Sequence, residues 1–270
     1  FAAKSLALRQ EIGDIPGVAR SYNNLGLLGW KRGFWDEALL NFKRSAEYQA
    51  NLGDVEGIIE LNSNLGLLQI DRGYTDEARQ YLEEAWRRAQ QIGHSYHIAL
   101  TTHYLSKLYI ALADWHNAQD YSQRSEQLFK NLGDEEYLVD VYVNLGSIQL
   151  GMRRLPAAAE YAGQALDLLQ KLAADAQTED KGRALRLQGD IALASADYPR
   201  ARQLFQEAEL VFSVVANRLE RGRLLVSLSR LASAQSNRLL AKSCGMLARK
   251  LFEELGARLD LRKLEALKIS

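Results

Sequence analysis

Residues 53–92 read GDVEGIIELN SNLGLLQIDR GYTDEARQYL EEAWRRAQQI, and this 40-residue stretch decides the fold. Gly53 follows the apolar Leu52 and suits the left-handed conformation that closes a helix C-terminus. Asp54 beside it can cap the next helix. Leu65–Gly66 marks the middle of that helix, and Gly73 marks a second turn. Beyond it, Ala78 and Ala85 are seven residues apart and share one helical stripe. Small side chains there let two helices approach closely. The stretch is one antiparallel pair, helix A then helix B, each about 18 residues or roughly 27 Å long at 1.5 Å per residue.

The same marks run through the whole chain. Leu65–Gly66 has counterparts at Leu25–Gly26, Leu105–Ser106 and Leu145–Gly146, stepping by 40 residues. After one step of 43 the column returns at Gln188–Gly189, then 40 later at Leu228–Ser229. The column of Gly53–Asp54 includes Gly13–Asp14, Gly93–His94 and Gly133–Asp134, and continues at Ala173, Ala216 and Gly256. The column of Gly73 includes Gly33, Ala113, Arg153, Ala196 and Ser236. A fixed period of this length predicts an all-α solenoid, an α-α superhelix of stacked helix pairs.

The columns set the organisation. Residues 1–13 are half a repeat, because Phe1 aligns with Asn41 in the middle of helix B. Full repeats follow at 14–53, 54–93, 94–133, 134–173, 174–216 and 217–256. Their A helices are expected to begin near Pro16, Val55, Ser95, Glu135, Asp175 and Arg218. A capping helix is expected over Ala257–Lys268 within residues 257–270. The longer step places three extra residues around Ala176–Asp180. A start in mid-repeat predicts a fragment of a longer protein, here one solenoid domain.

Composition narrows the function. Thirty-four basic and 34 acidic residues balance, so no global field draws the chain to nucleic acid or membrane. Cys244 is the single cysteine, which excludes an internal disulfide and suits a cytoplasmic location. No glycine-rich phosphate loop or Gly-x-Ser-x-Gly elbow occurs, and no cofactor is expected. The chain is not expected to be an enzyme.

Leu25–Gly26, Gly33, Trp35–Asp36–Glu37–Ala38, Phe42 and Ser45 resemble the tetratricopeptide repeat. So do Gly73, Asp76–Glu77–Ala78, Leu82 and Ala85. The resemblance extends over the chain and is weakest in the third and sixth repeats, where Ser106 and Ser229 replace the helix-A glycine. The 40-residue period is similar to the long repeats of kinesin light chains and Pins-type adaptors. It is also similar to the C-terminal sensor regions of bacterial signal-transduction ATPases and maltose-type transcription activators. The resemblance implies a concave groove lined by one stripe of each A helix.

In the first full repeat that stripe is Arg20, Asn24, Leu27 and Lys31; in the next, Glu60, Asn64, Leu67 and Asp71. Asn24, Asn64 and Asn144 share a column, interrupted by Tyr104 beside Lys107. An asparagine amide offers both a donor and an acceptor, and the resembled families use such a row to pair with a peptide backbone. The alternative is that these amides bond a neighbouring helix or face water. Arg183, Arg186, Arg223 and Arg230 gather towards the far end, with Arg221 adding to them, and suit an acidic or C-terminal carboxylate. Alternatively they are solvated and paired with Asp190 or with helix-B acids. Glu60, Asp71 and Asp140 at the near end would give the groove a charge gradient.

The expected function is a scaffold or sensor that binds an extended peptide or protein segment without catalysis. The alternative is a ligand-sensing or autoinhibitory region of a larger signalling ATPase or transcription regulator, with an upstream domain of the same protein as partner. Of the histidines, His94, His97, His103 and His116, the first two can share a face. No acid with metal-ligand spacing accompanies them in sequence, so no metal site is expected.

Overall fold

The computed structural model describes residues 2–173 and 178–267, and within them the chain forms fourteen α-helices. Helix α1 (Ala2–Glu11) precedes six antiparallel pairs. These are α2 (Ile15–Arg32) with α3 (Trp35–Leu52), α4 (Val55–Arg72) with α5 (Thr75–Ile92), and α6 (Ser95–Ala111) with α7 (Trp115–Leu132). Then come α8 (Glu135–Gly151) with α9 (Leu155–Ala173), α10 (Glu179–Ala194) with α11 (Tyr198–Val215), and α12 (Arg218–Ala234) with α13 (Arg238–Leu255). Helix α14 (Arg258–Ala266) closes the stack. Phe1, the helix start expected near Asp175, Ala176–Gln177 of the expected insertion, and Lys268 lie outside the described residues.

The boundaries have local causes. Asp14, Asp54, Asp114 and Asp134 each accept a hydrogen bond from the backbone N–H three residues on, as do Thr178, Asn217 and Asn237. The turn glycines, among them Gly33, Gly53 and Gly73, take φ between 65° and 84°. Where the column lacks glycine the conformation survives. Ala113, Arg153, Ala196, Ala216 and Ser236 are held at φ of 54–60°. That costs an L-residue about 1–2 kcal/mol, which packing of the flanking helices offsets.

Three of the helix-A glycines sit against bulky residues of their own helix B, whereas Gly146 meets Leu187 of α10. A Cβ on Gly26 would meet the Phe42 ring, one on Gly66 would lie 2.5 Å from Leu82 Cγ, and one on Gly189 would meet Phe205. The two repeats with serine at this point keep the balance in reverse. The position of Phe42 and Leu82 becomes Ser122 opposite Ser106, and Gly245 opposite Ser229. All four are buried. What looks degenerate in one helix is a size exchange across a close-packed interface.

The solenoid also closes on itself. One core cluster joins Trp35, Phe42, Leu61 and Leu65 of the first two pairs to Leu219, Phe252, Leu255 and Leu264 of the last pair and α14. A Cβ on Gly33 would lie 2.6 Å from Leu255, and one on Gly73 would lie 2.6 Å from the Leu259 backbone nitrogen. The Arg258 guanidinium stacks 4.5 Å from the centroid of Tyr74. An open superhelix with separated ends is the simplest expectation from a repeat. Here, six pairs bring the two ends into one hydrophobic core.

Candidate functional site

Closure turns the concave groove into a central chamber. A cavity of about 440 Å³ is walled by α2, α4, α6, α8, α10, α12 and α14. The A-helix stripe faces it, as Leu67, Asp71, Asn144, Ser147, Arg223 and Ser227 show. A second cavity of about 590 Å³ adjoins it between α8, α10 and α12 and shares Arg183, Arg186, Asp190 and Arg230.

The chamber wall carries three linked charge clusters. In the first, Asp140 accepts from His103 Nε2 at 2.9 Å, from Lys107 Nζ at 2.5 Å and from Arg183. Burial opposes its ionisation, but Arg183, Lys107 and His103 together hold the carboxyl well below the usual range. The fully buried His103 is pushed down by that burial, with Asp140 opposing.

In the second cluster, Glu220 binds Arg186 at 3.0 Å and Arg223 at 2.7 Å. Burial works against the charge here too, yet Arg186, Arg223 and Arg183 outweigh it and hold Glu220 at about 2. Arg223 also grips Asp260 through two bonds of 3.0 and 3.1 Å and reaches Asp71 at 3.4 Å. Asp71 in turn accepts from the Trp30 indole at 3.0 Å.

The third cluster is the loosest. Arg186 and Arg230 each approach Asp190 only to 3.6 Å. Arg186 Nε and Asp190 Oδ1 are buried and have no hydrogen-bond partner among the described residues. Such groups are costly to leave unmade. Arg230 is 47% exposed and faces both cavities.

The sequence-predicted residues divide accordingly. Lys107, Asn144, Arg183, Arg186, Arg223 and Arg230 meet at the chamber. Asn64 donates to Asn23 Oδ1 at 3.1 Å, and Asn144 accepts from Arg183 at 3.2 Å, so both amides bridge neighbouring A helices. Tyr104 is tied into a tyrosine chain with Tyr137 and Tyr96. Arg20, Asn24 and Lys31 are exposed on α2, with Lys31 beside a smaller cavity at the closure. Arg221 pairs with Glu209 of helix B at 2.8 Å.

Two expectations change. Arg186 and Arg230 do pair with Asp190, and Arg221 with a helix-B acid, but Arg183, Arg186 and Arg223 are neutralised mainly by acids of A helices and α14. The near-to-far charge gradient is also folded away, because Asp71 and Asp140 lie against Arg223 and Arg183. Sequence reading missed Trp30, Glu220 and Asp260 as site residues. Glu220 stands in the first turn of α12, where an acid is explained by the helix dipole alone.

The family model for the tetratricopeptide repeat matches residues 59–96, which span α4, α5 and the start of α6. The fold is a tetratricopeptide-repeat superhelix. A Rap protein complexed with Competence and Sporulation Factor superposes with a TM-score of 0.69 at 12% identity, covering 93% of this chain and 74% of that one. BtubC (BKLC) from P. vanneervenii gives 0.59 at 20% identity, over 80% and 90% of the two chains. The signal-transduction ATPase with a tetratricopeptide repeat sensor from Pyrococcus horikoshii gives 0.62 at 16% identity. It covers 98% of this chain but 41% of the ATPase. At these identities the likeness is one of fold. No curated protein sequence matches the chain significantly.

The superhelix thus provides a scaffold whose inner wall is charged, largely self-paired and loosest at Arg186–Asp190–Arg230. Among the described residues no helix is long and apolar enough to cross a membrane.

Proposed function

We propose that this tetratricopeptide superhelix is a non-catalytic binding module that takes an extended peptide segment into its chamber. An acidic side chain or terminal carboxylate of the segment is received by Arg186 and Arg230. The observation that carries this reading is the orphaned Arg186 Nε beside the exposed Arg230, at the junction of the two cavities. A ligand carboxylate satisfies the former and takes the latter from Asp190, which already holds it at 3.6 Å. Asn144 and Lys107 line the path, and Arg20, Asn24 and Lys31 stand exposed on α2 for a segment that continues outward. The Rap complex with its factor supports the reading as a fold-level precedent.

The test is a fluorescence titration with acidic dodecapeptides selected from a random library. Arg230→Ala should weaken binding roughly 10- to 100-fold, the worth of one charge-assisted hydrogen bond. Arg200→Ala on the outer surface should not. Equal affinity for wild type and Arg230→Ala would sink the proposal.

A second reading is favoured by the closure itself. The chamber wall and the end-to-end contact share Arg223, so a ligand on the wall bears on whether the ring stays shut. That suits a sensor or autoinhibitory region of a larger signalling protein, as in the ATPase that carries a repeat sensor. A ligand-dependent change in the maximum dimension by small-angle scattering would support it, and none would count against it.

A further inference from the structure

Away from the chamber, the B-to-A turns bring three metal-ligating side chains together. Glu56 lies in the first turn of α4, and His94 and His97 lie at the start of α6, one repeat further on. A ligand atom from each lies within 4.8 Å of the other two. The imidazoles are 4.5 Å apart between centroids. The sequence alone supplied the histidines without an acid, because the acid belongs to the preceding repeat.

Two features separate this cluster from a chance gathering of surface groups. His97 is 4% exposed, yet its Nδ1 is buried and has no hydrogen-bond partner among the described residues. A buried imidazole nitrogen in that state is costly, and a cation bound to it removes the cost. The His94 Nδ1 accepts from the His97 backbone N–H at 3.4 Å, an arrangement that fixes the ring and leaves Nε2 for a ligand. Glu56 is exposed, so its carboxylate can rotate inward.

We propose that Glu56, His94 and His97 form a binding site for zinc or a similar borderline divalent cation, tying the first turn of α4 to that of α6. Two imidazoles and one carboxylate select such an ion over calcium or magnesium, which prefer all-oxygen shells. Three protein ligands leave a fourth position for water. Metal–ligand bonds of about 2.0–2.2 Å place tetrahedral ligands about 3.4 Å apart, so the cluster must contract by about 1.4 Å at most. The exposed Glu56 side chain supplies most of that movement. The N-termini of α4 and α6 present partial positive charge and oppose a cation, which makes the Glu56 carboxylate indispensable.

The experiment uses the untagged full chain, stripped with chelator, titrated calorimetrically with Zn²⁺ and followed by absorbance with Co²⁺. One ion per chain is expected, with the visible bands of a four-coordinate cobalt site. Glu56→Ala and His94→Ala should each lower Zn²⁺ affinity at least tenfold while circular dichroism stays native. His116→Ala, an exposed histidine outside the cluster, should bind as wild type. Absence of saturable binding, undiminished binding in Glu56→Ala, or loss of binding in His116→Ala would each overturn the assignment.

Discussion

Arg223 of α12 reaches Asp71 of α4 across the closed superhelix, 3.4 Å between Nη2 and Oδ1, from 152 residues away in sequence. The same guanidinium holds Asp260 and Glu220, so one side chain joins three A-side helices at the seam. The apolar contact of Leu255 with Gly33 lies beside it, and together they shut the ring.

Loosening that seam should open the molecule without unfolding its repeats, since each pair keeps its own caps and core. Gly73→Leu places a side chain where a Cβ already comes within 2.6 Å of the Leu259 backbone, and it forces a left-handed residue as well. Small-angle scattering should show a larger radius of gyration with helicity retained by circular dichroism. An unchanged radius would mean that closure does not depend on this contact.

Asp71 makes the seam pH-sensitive. Burial raises its carboxyl to about 6, against the pull of Arg223 and the Trp30 bond, from an ordinary 3.8 in the unfolded chain. Between those values the folded protein binds more protons than the unfolded one. Its stabilising contribution is therefore full below about pH 4 and is lost as pH rises through 6, by roughly 3 kcal/mol at most. Asp71→Asn should flatten this part of the profile in urea unfolding between pH 4 and 7. An identical slope in mutant and wild type would contradict it.

Glu220 has the opposite sign. Despite its burial, Arg186 and Arg223 depress it to about 2 from 4.5. Its stabilisation is present above about pH 4.5 and is lost as pH falls towards 2. Glu220→Gln should cost about 3–5 kcal/mol at pH 7, because two buried arginines lose a charged partner. Denaturant titration measures this, and a cost below about 1 kcal/mol would show that the arginines find other acids.

The size exchange between helices A and B predicts coupling. Gly66→Ser should destabilise by about 1–3 kcal/mol through overpacking against Leu82, and Leu82→Ala by about 2–5 kcal/mol through a cavity. The double mutant should cost less than the sum, because it reproduces the pairing of small residues seen at Ser106 with Ser122. Strict additivity in a double-mutant cycle would refute it.

The asparagine column gives a further contrast. Asn64→Ala removes the bond to Asn23 and should cost about 0.5–1.5 kcal/mol of stability, read from the shift in urea midpoint. A mutant as stable as wild type would show that this amide contributes nothing to the stack.

Helix starts and stops were legible in the sequence because their causes are local. Asp54 caps the backbone it precedes, and Gly53 and Gly73 need no distant partner to favour a left-handed turn. The 40-residue period then dictates which neighbours stack, so the superhelix follows from residues alone, while the inward stripe was what the family resemblance implied. Closure did not follow. Whether Phe252 and Leu255 meet Trp35 and Phe42 depends on small rotations summed over six pairs, and no local signal records that sum. For the same reason the tertiary structure alone decided that Asp71 and Arg223 are partners rather than opposite ends of a gradient. It also brought Glu56 from one repeat to the histidines of the next, since contacts between neighbouring helix ends depend on side-chain geometry that the period does not specify.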